Sequence, residues 1–226
     1  MEIAGSQVSK ALPVTVEADH RIANHLSILS GLLHLQAEQI RKKSEPMTGE
    51  QVGLVLKEFG TRVDTLSKLH RLLANRPDGA PVDVSDYLRE VATSVVSCLS
   101  GRTRTALSFR LTGPCLLPSD KAVALGLLIG ELVTNATKYA HPAGVPGAIQ
   151  ISSSRRDDST IVFEVTDDGV GLPDGLDPLT SPSLGFRIIR ALAEKVEGNI
   201  SFENYGLGLN CVLILPCQAA ALRLVS

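Results

Sequence analysis

The chain has 226 residues, 44% of them hydrophobic and 20% charged, which is enough apolar material to bury a core and rules out a disordered chain. Its 22 basic and 24 acidic side chains leave a formal charge of -2, so no whole-chain field favours nucleic acid or an anionic membrane. Aromatics are 4% and tryptophan is absent, leaving a core of Leu, Val, Ile and Ala and few rings on which bases can stack.

Residues 1–10 are polar and lack the basic-then-apolar order of a secretion signal. The apolar run from Ala122 to Ile129, broken by Gly126, falls well short of the roughly 20 residues of a membrane span. A cytoplasmic chain is expected, with no nucleic acid and no membrane among its partners. Cys98, Cys115, Cys211 and Cys217 form no CxxC pair and read as buried small hydrophobes.

Two long helical patterns come first. Ile22, Leu26, Leu29, Leu33 and Ile40 recur at helical spacing, and Val52, Leu56, Phe59, Val63, Leu66 and Leu73 do the same. Ser44, Pro46 and Gly49 mark the break between them. Two helices with one apolar face each need partners to complete a core, and the economical solution is a homodimeric four-helix bundle built from residues 1–76. Two prolines and a glycine within Arg76–Pro81 predict a linker at 77–82.

The second unit, 83–226, reads as mixed α and β. Helices are predicted over Asp83–Leu99, Asp120–Tyr139 and Leu184–Val196, and strands over Thr105–Leu111, Ile149–Ser153, Ile161–Val165, Ile200–Glu203 and Asn210–Leu215.

Three places carry candidate chemistry. On a helix turning about 100° per residue, Ile22, Leu26, Leu29 and Leu33 lie about 180° to 240° from His20, while Asn24, Ser27 and Gly31 lie within about 40° of it. His20 therefore stands on a polar, small-residue stripe, a position that a plain surface histidine also fits; His25 falls at the rim of the apolar stripe and reads as packing. Glu131, Asn135 and Lys138 share one face of an otherwise apolar helix, as a ligand face or a solvated one. Asp167, Gly169 and Gly171 follow a predicted strand, where glycines let backbone approach a ligand and the acid accepts from an amino group; a strand-ending turn reads the same way.

The segment Glu-Leu-Val-Thr-Asn-Ala-Thr-Lys-Tyr-Ala at 131–140 resembles the N box of histidine kinases, and Asp-Asp-Gly-Val-Gly at 167–171 resembles their first glycine motif. Glu17-Ala-Asp-His20-Arg21-Ile-Ala-Asn24-His-Leu26 is similar to the phosphoacceptor motif of the subfamily with the pattern His-Arg-x-Lys-Asn-x-Leu. The resemblance implies a dimerisation and histidine phosphotransfer hairpin followed by an ATP-binding α/β sandwich of the kind shared with gyrase and the Hsp90 chaperone.

It further implies that His20 accepts phosphate from ATP and passes it to the aspartate of a response-regulator receiver domain. Asn135 would hold Mg²⁺, Glu131 would organise metal-bound water, and Lys138 and Tyr139 would contact the nucleotide. Asp167 would receive the adenine amino group, Gly169 and Gly171 would turn beneath it, and Gly185 would open a helix whose amides face phosphate. A neutral imidazole is available near pH 7, since its unperturbed pKa is about 6.5.

Around His20, Glu17 lies one turn earlier and about 60° round the helix, placed to take or orient the imidazole proton. Asn24, one turn later, is placed to orient a water that dephosphorylates the regulator. Two departures stand out: Ala23 where the subfamily has Lys, and a short lid from Leu172 to Leu184, which predicts poor retention of ATP. His20 lies close to the start, so a sensor or regulatory partner acting in trans is expected, or the chain is an excised core. Rival readings are an ATP-independent histidine phosphotransferase, an anti-sigma-type serine kinase, and His70 as acceptor.

Overall fold

The computed structural model describes residues 13–42, 45–73, 81–99, 105–157 and 159–216, with backbone alone at 13–21 and 73. The His20 and Glu17 side chains, Cys217 and most of the expected linker thus lie outside the described residues.

The element order is α1 (Pro13–Arg41), α2 (Gly49–Leu73), β1 (Val82–Asp83), α3 (Ser85–Leu99), β2 (Thr105–Leu111), β3 (Leu116–Leu117), α4 (Ser119–Tyr139), β4 (Gly147–Asp157), β5 (Thr160–Asp167), α5 (Leu184–Lys195), β6 (Asn199–Asn204) and β7 (Leu209–Pro216). This is the expected helical hairpin followed by an α/β sandwich. A capping box starts α2: Gln51 N–H donates to Thr48 Oγ1 at 3.2 Å, and Thr48 N–H donates to Gln51 Oε1 at 3.0 Å.

Five strands form one sheet in the order β2-β4-β5-β7-β6, parallel between β2 and β4 and antiparallel elsewhere. The residues of β5 alternate, with Ile161, Phe163 and Val165 buried between, and α3, α4 and α5 pack on the sheet. Helix α4 is buried from Ala122 to Thr134, which explains why its sequence is apolar all round. Two short strands escaped prediction because two residues carry no periodicity. β1 pairs with β3, and the last residue of the expected 77–82 linker, Val82, belongs to β1 opposite Leu117. The Asp83 carboxylate ties this corner together by accepting from Ser85 N–H at 3.1 Å and Cys115 N–H at 3.2 Å.

The hairpin also packs within its own chain, α2 on α3 and α4, and α1 on α4 and α5. The face of α1 buried there carries His25, Leu29, Leu32 and Gln36, centred about 60° round from the predicted stripe, with Leu29 common to both. Ile22, Leu26, Leu33 and Ile40 remain 37% to 56% exposed, as do Val52, Leu56 and Val63 on α2 at 38% to 65%. The predicted stripes are therefore mostly left uncovered by their own chain, which buries Leu29 and Leu66 from them.

Candidate nucleotide site

A cavity of about 700 Å³ lies between the hairpin and the α/β unit, within the usual range for small-molecule sites. Asn135, Lys138, Tyr139, Asp167, Gly171 and Gly185 line one side, and Gln36, Ile40, Met47, Gln51, Val55 and Glu58 form the opposite wall. Of the predicted residues of the second unit all but Gly169 line this cavity, although they come from α4, the end of β5, the loop after it and the start of α5.

Half-buried Asp167 accepts from Gly169 N–H at 3.0 Å and Leu209 N–H at 3.3 Å, both on Oδ1. Burial pushes its carboxyl above the usual range, and the two amide donors only partly offset that. Neighbouring Asp168 points elsewhere: its Oδ1 accepts from Ala148 N–H at 2.7 Å and lies 2.7 Å from His141 Nε2, which fixes the turn. At Gly169 a Cβ would sit 2.4 Å from the Ala140 carbonyl oxygen, and Gly171 adopts φ +73, a left-handed conformation that penalises other residues. The turn reading of this segment is therefore realised, and Asp167 and Gly171 also line the cavity.

Gly185 is the second residue of α5 and lines the cavity, and the N-cap Ser183 makes no side-chain capping bond, so no acceptor from Ser183 competes for the first amides of the helix. A Cβ at 185 would lie 3.2 Å from Asn135 Oδ1, so glycine keeps the carboxamide uncrowded. The short lid is folded on itself: Asp177 accepts from Leu179 N–H at 2.9 Å and Thr180 Oγ1 at 3.0 Å, and Arg190 Nη1 donates to the Pro178 carbonyl at 2.7 Å.

Glu131 departs from the solvated-face reading. It is 5% exposed and takes a two-pronged ion pair from Arg62 of α2, Nε to Oε1 at 2.6 Å and Nη2 to Oε2 at 3.1 Å. Burial works against the Arg62 charge, and the Glu131 carboxylate outweighs it, holding the guanidinium above its usual range. Lys138 is likewise paired across the seam, with Glu58. Sequence reasoning missed Arg62 and Glu58 because, four residues apart on a helix, they look like an ordinary surface pair.

In the hairpin, Asn24 is exposed, as its stripe predicts. His25 is buried rather than at a rim, with Nδ1 3.1 Å from Nε2 of half-buried His70. That contact gives His70 a packing role.

A family model described as "Histidine kinase" matches residues 17–99, and one described as "Histidine kinase-, DNA gyrase B-, and HSP90-like ATPase" matches 120–219. The chain belongs to the histidine kinase family. It is 26% identical over 204 residues to blue-light-activated histidine kinase 2 of Erythrobacter litoralis, covering 88% of this chain and 56% of that protein. It is 30% identical over 203 residues to the sensor histidine kinase PdtaS of Mycobacterium tuberculosis, covering 88% of this chain and 38% of that protein. The chain thus spans between 38% and 56% of the length of these relatives.

Its fold is similar to the histidine kinase domain of an Erythrobacter litoralis blue-light activated histidine kinase, with TM-score 0.63 at 20% identity, covering 84% of this chain and 95% of that one. It also resembles Acinetobacter baumannii histidine kinase AdeS, with TM-score 0.53 at 18% identity and coverages of 87% and 97%. The second match makes residues 120–219 a domain of the ATPase type shared by histidine kinases, DNA gyrase B and HSP90. No helix among the described residues is long and apolar enough to cross a membrane.

Proposed function

We propose that this protein is an ATP-dependent histidine kinase that phosphorylates its own His20 and passes the phosphoryl group to an aspartate of a response-regulator receiver domain. The observation that carries this reading is the convergence of Asp167, Asn135, Lys138 and the amides of α5 on one nucleotide-sized cavity. Asp167 keeps Oδ2 for an adenine amino group, because both backbone donors fall on Oδ1.

The donor set fits Mg²⁺ held through phosphates rather than by a protein cage. Among the described residues no three His, Cys, Asp or Glu side chains cluster, and the uncrowded Asn135 amide supplies one oxygen. Bound there, the ion would neutralise charge on the triphosphate. Glu131 would orient water about it once released from Arg62. The transfer itself forms a bond from an imidazole nitrogen of His20 to the terminal phosphorus and breaks the bond from that phosphorus to the bridging oxygen, leaving ADP; Glu17 takes or orients the imidazole proton.

With labelled ATP and Mg²⁺, the full chain is expected to gain an acid-labile, base-stable phosphate that His20→Ala removes. Label retained in that variant would overturn the assignment. The exposed position of Asn24 one turn from His20 supports a second role, orienting water for dephosphorylation of the regulator. In the same assay Asn24→Ala should keep His20 labelling and lose regulator dephosphorylation; a wild-type rate of dephosphorylation would remove Asn24 from the mechanism.

The uncovered stripe through Ile22, Leu26, Leu33 and Ile40, continued by Val52, Leu56 and Val63, supports a homodimer that buries it. Light scattering at micromolar concentration should report a dimer, and Leu26→Glu with Leu56→Glu a folded monomer. A wild-type monomer would overturn this. A sensor partner in trans and a cytoplasmic location complete the reading.

A further inference from the structure

The seam between hairpin and ATP-binding domain differs from the rest of the interior. Among the described residues the buried polar or charged side chains are His25, Gln36, Thr61, Arg62, Thr65, Glu131, Thr134 and Ser153. The first five belong to the hairpin, where His25 meets His70, and Gln36, Thr61, Arg62 and Thr65 gather with Glu131 and Thr134 of α4 at this one seam. The core between the sheet and its helices is otherwise apolar.

Moreover, Gln36 Oε1, Gln39 Oε1 and Arg62 Nη1 are buried there without a hydrogen-bond partner among the described residues. Buried polar atoms left unsatisfied oppose closure, and opening the seam would hydrate them. Such an interface suits two bodies that separate better than it suits a permanent core.

Beside the buried apolar contacts of Leu29, Leu32, Leu66 and Leu69, three ion pairs cross it, Arg62 with Glu131, Glu58 with Lys138, and Glu38 with Arg187 at 3.1 Å. Two of them occupy groups that the kinase reading assigns to metal water and nucleotide. Geometry adds a second constraint. Gln36, at the cavity, lies sixteen residues beyond His20 on the continuous helix α1, which at 1.5 Å per residue is about 24 Å along the axis. Phosphoryl transfer requires reacting atoms within about 3–3.5 Å, so in this arrangement the cavity cannot serve the His20 of its own chain.

We propose that Arg62 and Glu58 form an autoinhibitory latch: they park the ATP-binding domain against the hairpin, away from His20, by holding Glu131 and Lys138 in ion pairs that a magnesium nucleotide must break. Nucleotide and hairpin then compete for the same two side chains, and loading the site frees the domain to travel to the phosphoacceptor. Glu38 and Arg187 form an outer contact that helps to keep the seam closed. The latch rests on the proposed nucleotide site, but its tests do not need phosphorylation of His20.

The experiment places nitroxide-bearing unnatural residues at exposed Ala37 of α1 and exposed Glu203 of β6 in the full chain and measures their separation by pulsed electron paramagnetic resonance. Without nucleotide a single narrow distance is expected, broadening and lengthening when ADP with Mg²⁺ is added. Arg62→Gln with Glu58→Gln should broaden it without nucleotide and tighten ADP·Mg²⁺ binding about tenfold, within the range of ordinary coupling between sites. Circular dichroism checks the fold. Should that double variant fail to fold, Glu38→Lys, at a partly exposed site, should shift the distribution in the same direction to a smaller extent.

The latch is overturned if the folded double variant keeps the narrow wild-type distance with unchanged nucleotide affinity, or, where it does not fold, if Glu38→Lys leaves both unchanged. Absence of label on His20 would defeat the kinase reading while leaving these distances and affinities to decide the latch.

Discussion

Asp167→Asn is expected to weaken binding of ATP with Mg²⁺ by about ten- to a hundredfold in calorimetric titration while the fold survives, since a hydrogen bond to a charged group is worth about 1.5–3 kcal/mol. The fold survives because Asn keeps a carbonyl oxygen that can accept from Gly169 and Leu209, as Asp167 Oδ1 does. Binding suffers because the other atom becomes an NH₂ donor facing the adenine amino group, donor against donor. Wild-type affinity should also decline on acidification at a higher pH than an ordinary carboxylate would cause, since burial raises the Asp167 carboxyl and protonation removes the acceptor. The Asn variant should lack that decline.

The stability effect has the opposite sense. Over the window between the ordinary carboxylate value and the raised one, the folded state binds more protons than the unfolded state, so this group's contribution to stability falls as pH rises. Asp167→Asn removes that slope. Equal affinities for the two proteins at neutral pH would dismiss Asp167 as the adenine contact, and no heat from the wild type with ATP and Mg²⁺ would favour an ATP-independent relay.

Phe163→Ala should cost about 3–5 kcal/mol in urea unfolding followed by circular dichroism. Phe163 is 1% exposed at the middle of β5, the central strand of the sheet, between Ser153 of β4 and Leu213 of β7. It is the bulkiest of the fully buried side chains. With strands hydrogen-bonded on both sides, the backbone cannot collapse into the gap, and the cavity term adds to lost transfer free energy. Because β5 ends at Asp167, the variant should weaken nucleotide binding in proportion to the fraction unfolded and no further. A loss below about 1 kcal/mol would mean that the layers close over the gap more freely than their packing implies.

The units of the fold and the nucleotide-site residues could be read from the chain because their causes are local. Alternation marks β5, an all-round apolar run marks α4, and the Asp167–Gly171 segment carries its own turn chemistry. The start of α2 is also written locally, in Thr48 and Gln51.

Other features depend on which surfaces meet, which one-dimensional periodicity does not encode. Helix α1 has an apolar stripe at Ile22, Leu26, Leu33 and Ile40, yet its own chain covers the face of His25, Leu29, Leu32 and Gln36, where polar residues dilute the pattern. Glu131 shows the same limit from the other side. Its spacing with Asn135 and Lys138 made a candidate ligand face, but a carboxylate can be buried there only because Arg62, 69 residues earlier in the chain, arrives to neutralise it. Sequence by itself determined the hairpin, the sandwich and the candidate residues of the second unit that line the cavity, since each rests on interactions within a few residues. Tertiary structure alone decided that the hairpin lies across the site and holds its charged groups, because a long-range ion pair leaves no period or local motif for the chain to display.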